Sequence, residues 1–198
     1  IEVVQQFEEW NTMEERLELL KQAFNNTSVK VIAVSDIDQT VLPNGAVLKA
    51  KKGEEVELPR WIANFLEERG LVKRKWDEIS VQEVSKIHYR EMSRRAVKDI
   101  EQLPSNFYWL VQEYLDYLEK KIRSEADPSF IEDRQNLLEF LSEIVEKRMR
   151  AVITYVFSYG DYTEISQKLT QEEIILAEEL KNLLIQWKKI VIGGNDKK

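Results

Sequence analysis

Cysteine is absent from this 198-residue chain, which excludes disulfides, thiolate metal sites and cysteine nucleophiles. Histidine occurs once, as His88. That removes multi-histidine metal centres, and leaves a Ser-His-Asp arrangement only if this one residue is its base. No apolar run approaches the ~20 residues of a membrane-spanning helix. No basic stretch leading into an apolar one suggests a secretory signal either. Positive charge is in deficit, 29 Lys and Arg against 36 Asp and Glu, for a formal net charge of -7. An acidic chain is poorly suited to gripping naked nucleic acid over a large surface, although a local basic patch remains compatible with it. These absences predict a soluble, intracellular protein with no metal, no cofactor and no membrane partner.

What is present is globular: 43% hydrophobic and 10% aromatic residues, more than a disordered chain carries. The length suits one ordinary domain or two small ones. A charged fraction of 33%, rich in Glu and Lys, fits a heat-adapted source. Because the chain opens with Ile1 rather than Met, its start is read as processed or trimmed.

Periodicity predicts a mainly α protein, α+β overall, with a helical bundle preceded by a small β-containing domain. Residues 1–26 read as a helical extension, in which Thr12 and Glu15 form a capping box ahead of Leu17, Leu20 and Phe24. Residues 27–76 read as a small β-rich domain. Its strands are expected at 29–34, 46–50, 55–58 and 71–76, with a Pro43-Asn44-Gly45 turn and a helix from Pro59 to Gly70 that presents Trp61, Ile62, Phe65 and Leu66. Residues 77–192 read as helical. Ser80 with Glu83 opens a polar helix expected to run to Glu101, and Pro104-Ser105 breaks it. Phe107 to Ile122 and, after Asp127-Pro128, Ile131 to Tyr159 repeat at helical spacing, Gly160 stops the second, and Thr170 with Glu173 caps the last helix. Residues 193–198 read as a tail.

The most conspicuous local motif is Asp36-Ile37-Asp38-Gln39-Thr40 after the apolar run Val31 to Val34. It resembles the first motif of haloacid-dehalogenase-type phosphatases, which implies Asp36 as nucleophile, Asp38 as proton handler and bound magnesium. That enzyme needs a parallel sheet alternating with helices, whereas helix after helix follows here, and the motif is read as a polar loop. The basic clusters Lys49 to Lys52, Lys73-Arg74-Lys75, Arg94-Arg95 and Lys147-Arg148 read as solvated faces more readily than as phosphate contacts. His88 reads as a surface or interface residue. The aromatics at Phe107, Tyr108, Tyr114 and Tyr117 read as core with a share of burial against another subunit.

Several segments, in order, resemble the GINS family. Gly53 to Ala63, containing Val56, Leu58, Pro59 and Trp61, resembles its strand-to-helix signature, followed by the basic turn Arg69 to Lys75. Leu103-Pro104-Ser105-Asn106-Phe107-Tyr108 is similar to a family helix start. Ile131 to Arg148 is similar to its central helix, and Leu169-Thr170-Gln171-Glu172-Glu173 to the Leu-Thr-x-x-Glu start of its last helix. With the β domain first, the order resembles the Psf-two/Psf-three branch and its archaeal counterpart. The resemblance implies a non-catalytic scaffold of the replisome, found in cytoplasm or nucleoid in an archaeon and in the nucleus of a eukaryote. It implies a heterotetramer with a sister subunit of helical-domain-first type, and contacts to the MCM helicase and a RecJ-like protein in a CMG-type helicase complex. Primase or DNA polymerase are further implied partners, and direct DNA contact is left open. Phe107, Tyr108, Leu110, Tyr114, Leu118 and Arg148 are expected at or near subunit contacts, with Arg148 paired to a carboxylate within or between chains. An unrelated helical adaptor and the phosphatase are the alternatives.

Overall fold

The computed structural model describes residues 12–42, 45–125 and 127–192. The front of the leading helix, the Pro43-Asn44 turn and the tail lie outside the described residues. Six helices and five strands make up the described chain, a mainly α architecture with its strands gathered ahead of the longer helices. The chain divides into two compact units, with the cuts between Glu18 and Leu19 and between Glu78 and Ile79. The first cut falls eight residues before the expected boundary, inside helix α1 (Met13–Asn25). Its cause is Phe24, a buried side chain near the end of α1 that lies against the guanidinium of Arg60, 4.4 Å from the ring centre.

In the small unit β1 (Ser28–Ala33) is central because Val29, Val31 and Ala33 alternate inward along it. β4 (Glu55–Pro59) and β5 (Val72–Arg74) flank it, both antiparallel, with Val31 opposite Val56 on one side and Arg74 on the other. β2 (Ile37–Val41) and β3 (Val47–Ala50) form a separate hairpin. β2 corrects the reading of 36–40 as a loop. Alternation failed to reveal it because Gln39 sits at φ +47° and the register slips between Ile37 and Thr40, so only Ile37 points inward. Helix α2 (Arg60–Glu68) follows Pro59, whose φ of -53° is already suited to a helix start. It packs Ile62, Ala63 and Leu66 on the sheet core, leaving Trp61 at the edge of the buried face rather than in it. Gly70 ends it at φ +69°, a conformation that costs a residue with a Cβ but not glycine.

The helical unit contains α3 (Val81–Ser93), α4 (Phe107–Ser124), α5 (Pro128–Tyr159) and α6 (Gln171–Ile192). The first turns of α1 belong with it, Arg16 pairing with Glu178 and Glu179 of α6. α5 packs against α3, α4 and α6, burying Leu137, Ile144, Val152 and Val156 completely. Its start is set by Asp127, whose carboxylate accepts from the Ser129 amide at 2.9 Å, and its end by Gly160 at φ +71°. Of the three capping boxes read in the sequence, Thr12/Glu15 and Thr170/Glu173 are formed with both reciprocal bonds. At Ser80 the Glu83 amide donates to the hydroxyl, and the hydroxyl, not the Ser80 amide, donates to the Glu83 carboxylate.

The polar helix from Ser80 is shorter than expected. It ends at Ser93 rather than Glu101, and a 3-10 turn follows at Val97–Asp99. Arg94 is extended (φ -63°, ψ 129°), its side chain reaching back to Glu91 and to the carbonyls of Ala96 and Lys147. Leaving the helix there also lets Ile100 reach a fully buried position against α5. Tertiary demand overrides the local preference.

Candidate functional site

The chemistry of the helical unit concentrates on Arg148, midway along α5 and without accessible surface. Leu137, Ile144, Ala151 and Tyr155 share its buried side of the helix, so an arginine stands in an otherwise apolar phase. Each of its five N–H groups finds an acceptor. Nε and Nη2 donate as a fork to Oε1 and Oε2 of Glu173, at 2.6 and 2.8 Å. Nη1 donates to Glu91 Oε1 at 2.7 Å and to the Glu101 carbonyl at 2.8 Å. The second Nη2 proton goes to the Lys168 carbonyl at 3.1 Å.

The carboxylates are as fully occupied. Glu173 also accepts from the Tyr108 hydroxyl at 2.6 Å and, as the capping-box residue, from the Thr170 amide at 2.9 Å. Glu91 takes a further contact from Arg94 Nε at 3.3 Å. Two cations and two anions balance, as buried charges require. Burial pulls the Arg148 pKa down, but the hydrogen bonds and charge of Glu173 outweigh it and leave the guanidinium more basic than usual. Burial first, and then the Glu173 charge, push the Tyr108 phenol well above its ordinary value. With all five Arg148 N–H donors spent inside the chain, the cluster ties α3, α4, α5 and α6 together.

Spacing carried a signal for this cluster that the sequence reading did not use. Val84, Ile87 and Glu91 recur at i, i+3 and i+7, so Glu91 occupies the apolar phase of α3. A charged residue in phase with the core, on two helices at once, marks a buried pair.

The other residues expected at subunit contacts fall in the same core. Phe107 and Leu118 are as completely buried as Arg148, and Leu110 nearly so, which leaves them no surface to offer a second chain. Tyr108 and Tyr114 are half-buried, and Tyr114 stacks on Tyr117 with ring centres 5.7 Å apart. Of the signature residues, Leu58 is buried within β4, Pro59 ends that strand and stands at the cap of α2, Trp61 lies in the first turn of α2, and Leu103 is buried while Pro104 stays exposed ahead of α4. His88 links α3 to α5, touching the Glu143 carboxylate with its ring 4.7 Å from that of Phe140.

In the small unit Asp36 follows β1 and accepts from the Lys52 amide at 2.8 Å, while Asp38 is exposed on β2. They border a groove of about 290 Å³ with Lys49, Lys51 and Glu54. Its strands are antiparallel, so these aspartates do not stand at the ends of parallel strands. Among the described residues no group of three or more His, Cys, Asp or Glu side chains could hold a metal ion. Arg74, in one of the basic clusters, is a buried structural residue. It lies over the Trp76 ring and shares the Glu78 carboxylate with buried Arg60. No described helix is long and apolar enough to cross a membrane.

Two exposed apolar surfaces complete the inventory. One follows α5 through Ile131, Leu138, Val145, Met149, Ile153 and Phe157, and the other is the C-terminal half of α6. No protein-family model matches this chain, and no curated protein matches it either.

Proposed function

We propose that this chain is a non-catalytic scaffold subunit of the GINS replication complex, of the Psf-two/Psf-three type. It joins a sister subunit of reversed domain order in a heterotetramer that supports the MCM helicase and a RecJ-like partner. The supporting observation is the fork between Arg148 and Glu173. Two segments that resemble the family separately, the central-helix segment Ile131 to Arg148 and the Leu169-Thr170-Gln171-Glu172-Glu173 helix start, meet through their one buried charge pair. Leu103 to Tyr108, a third such segment, supplies the phenol on the same carboxylate. A chance match of scattered residues has no reason to converge on one contact. The mechanism is adhesion: a rigid helical unit offers its faces to other subunits, and the sheet unit adds a second, separately folded surface for partners.

The test is light scattering on a mixture of this chain with the sister subunit from the same source. A complex with the mass of four chains is expected. A chain that stays apart from the sister at micromolar concentration would overturn the reading in favour of an unrelated helical adaptor.

A further inference from the structure

Two basic clusters that stand far apart in the sequence, Arg94-Arg95 and Lys147-Arg148, meet on the helical unit. The chain leaves α3 at Arg94 and runs as a strap to Ile100, which is buried against α5. Arg94 Nη2 donates to the Lys147 carbonyl at 3.4 Å, tying the head of the strap to the middle of α5. Further along, Lys168 Nζ donates to the Lys98 carbonyl at 3.0 Å. Arg94 and Arg148 are spent on internal contacts, but Arg95, Lys98 and Lys168 are exposed and Lys147 is half-buried. Among the described residues none of these four is ion-paired. Asp99 on the strap and Glu164, which accepts from the Tyr155 hydroxyl, reduce this positive charge. The carboxylates of Glu101 and Glu146 are engaged by Arg90 and Arg150.

Between the strap and the last turns of α5 lies a cleft of about 270 Å³. Ala96, Val97 and Lys98 line it from the strap. From α5 come the hydroxyl residues Thr154 and Ser158, with the rings of Tyr155 and Tyr159. Tyr155 is buried, whereas Tyr159 is 70% exposed and backed by Tyr155, their ring centres 4.5 Å apart. Lys147, Thr154 and Ser158 recur at i, i+7 and i+11, which keeps them on one side of α5. Lys147 therefore stands on the side of the cleft, about 10 Å before it along the helix.

We infer that this surface binds single-stranded nucleic acid. One base enters the cleft and stacks on Tyr159, its polar edge meeting the Thr154 and Ser158 hydroxyls. The phosphates on either side rest on Lys98 and Lys168, and on Arg95 and Lys147. An open tyrosine ring is a platform that any base can use, and lysines set at intervals are point charges suited to successive phosphates. A carboxylate-bearing peptide fits less well. Fork-like recognition of carboxylates needs free guanidinium groups, and Arg94 is spent on Glu91 and on the carbonyls of Ala96 and Lys147. The cleft also lacks the strand edge or long apolar groove by which a peptide docks. A duplex keeps its bases stacked and offers none to Tyr159. The excess acid elsewhere on the chain confines contact to a few nucleotides. The inference does not rest on the GINS reading.

The test is fluorescence anisotropy of a dye-labelled oligothymidylate of about twelve nucleotides, titrated with the full chain at about 50 mM salt. A dissociation constant of about ten micromolar is expected. Raising the salt to about 200 mM should weaken binding roughly twentyfold, as about three phosphate contacts require. Tyr159→Ala should cost about tenfold, whereas Tyr159→Phe, which keeps the ring, should stay within about twofold of the wild type. Lys98→Glu with Lys168→Glu should abolish binding with an unchanged circular-dichroism spectrum. Should that pair disturb the fold, Arg95→Ala with Lys98→Ala replaces it, and should weaken binding and lower its salt dependence together. Lys52→Glu with Lys73→Glu, in the small unit, changes the net charge equally and should leave binding within about twofold. No binding by the wild type, equal loss from both pairs of glutamate substitutions, or indifference to Tyr159→Ala would overturn the inference. So would a duplex or a free nucleotide that binds as tightly, or an acidic peptide that displaces the probe as readily as unlabelled oligonucleotide. A chain that binds the probe but ignores the sister subunit keeps this site and overturns the scaffold reading, and the reverse pattern overturns this site alone.

Discussion

The two units solve the same packing problem with opposite materials. The small unit encloses an apolar cluster of Val29, Val31, Leu48, Leu58, Ile62 and Leu66, and keeps its Arg60–Glu78–Arg74 contacts at one side, where Glu78 is partly exposed. From Leu19 to Glu78 it carries ten basic and nine acidic residues. The helical unit holds most of the excess acid and places Arg148, Glu91 and Glu173 in its interior. Strand pairing already fixes register in the first case, because a slip by one residue would turn Val29 and Val31 outward. Helices packed by apolar stripes alone can slide by a turn. A guanidinium with five fixed acceptors on four segments forbids that, at a desolvation cost that apolar residues would not incur.

The comparison breaks most sharply at Arg148. Arg148→Ala leaves Glu91 and Glu173 buried without their partner, and removing one member of a buried pair costs about 3–5 kcal/mol. Calorimetry should then show the helical unit melting far earlier while the transition of the small unit stays in place. Replacing all three residues, as Arg148→Met with Glu91→Leu and Glu173→Leu, should restore most of the lost stability. If the network serves register, near-ultraviolet dichroism of the triple variant should weaken even as its melting temperature recovers.

The converse change is Leu66→Ala in the small unit. A fully buried leucine cut back in a small core costs about 3 kcal/mol, a large fraction of what some sixty residues can hold. Only the transition of the small unit should fall, and a parallel drop in the helical unit would show that the two do not melt separately. Smaller again is Tyr108→Phe, which keeps the ring and removes one hydrogen bond to a buried carboxylate, for about 2 kcal/mol. Its effect should vanish in the triple variant, because Glu173 is gone there.

How much of this was legible follows from how locally each feature is encoded. The capping boxes, the Asp127-Pro128 start and the Gly160 stop need only three or four neighbouring residues, and all were readable. A carboxylate partner for Arg148 was expected, but its identity was not. Glu91 lies 57 residues away, and nothing in the sequence ranks it above other glutamates except its place in the phase of Val84 and Ile87. Phe107 and Leu118 showed the reverse limit. Periodicity told that they are buried, but not that their own chain does the burying. β2 was hidden because one positive φ at Gln39 destroys the alternation that announces a strand.

The finest distinction between the units is tested by acid. Asp161, just beyond α5, accepts from the Thr163 hydroxyl at 2.6 Å, from Lys181 of α6 at 3.0 Å and from the Tyr162 amide at 2.8 Å. These bonds favour the charged form, the Thr163 hydroxyl most, and hold the carboxyl at about 2, below its usual 3.8. A depressed folded-state value means the stabilisation is complete above the unfolded pKa and disappears as pH falls from 3.8 through about 2. Because the group is open to solvent, the effect is modest and salt-sensitive. Between pH 4 and pH 2 the melting temperature of the helical unit should therefore fall less steeply in Asp161→Asn than in the wild type, and the small unit should not distinguish them. An identical acid slope in both proteins would place the helix-end contact of Asp161 and Lys181 outside the forces that hold α6 to α5.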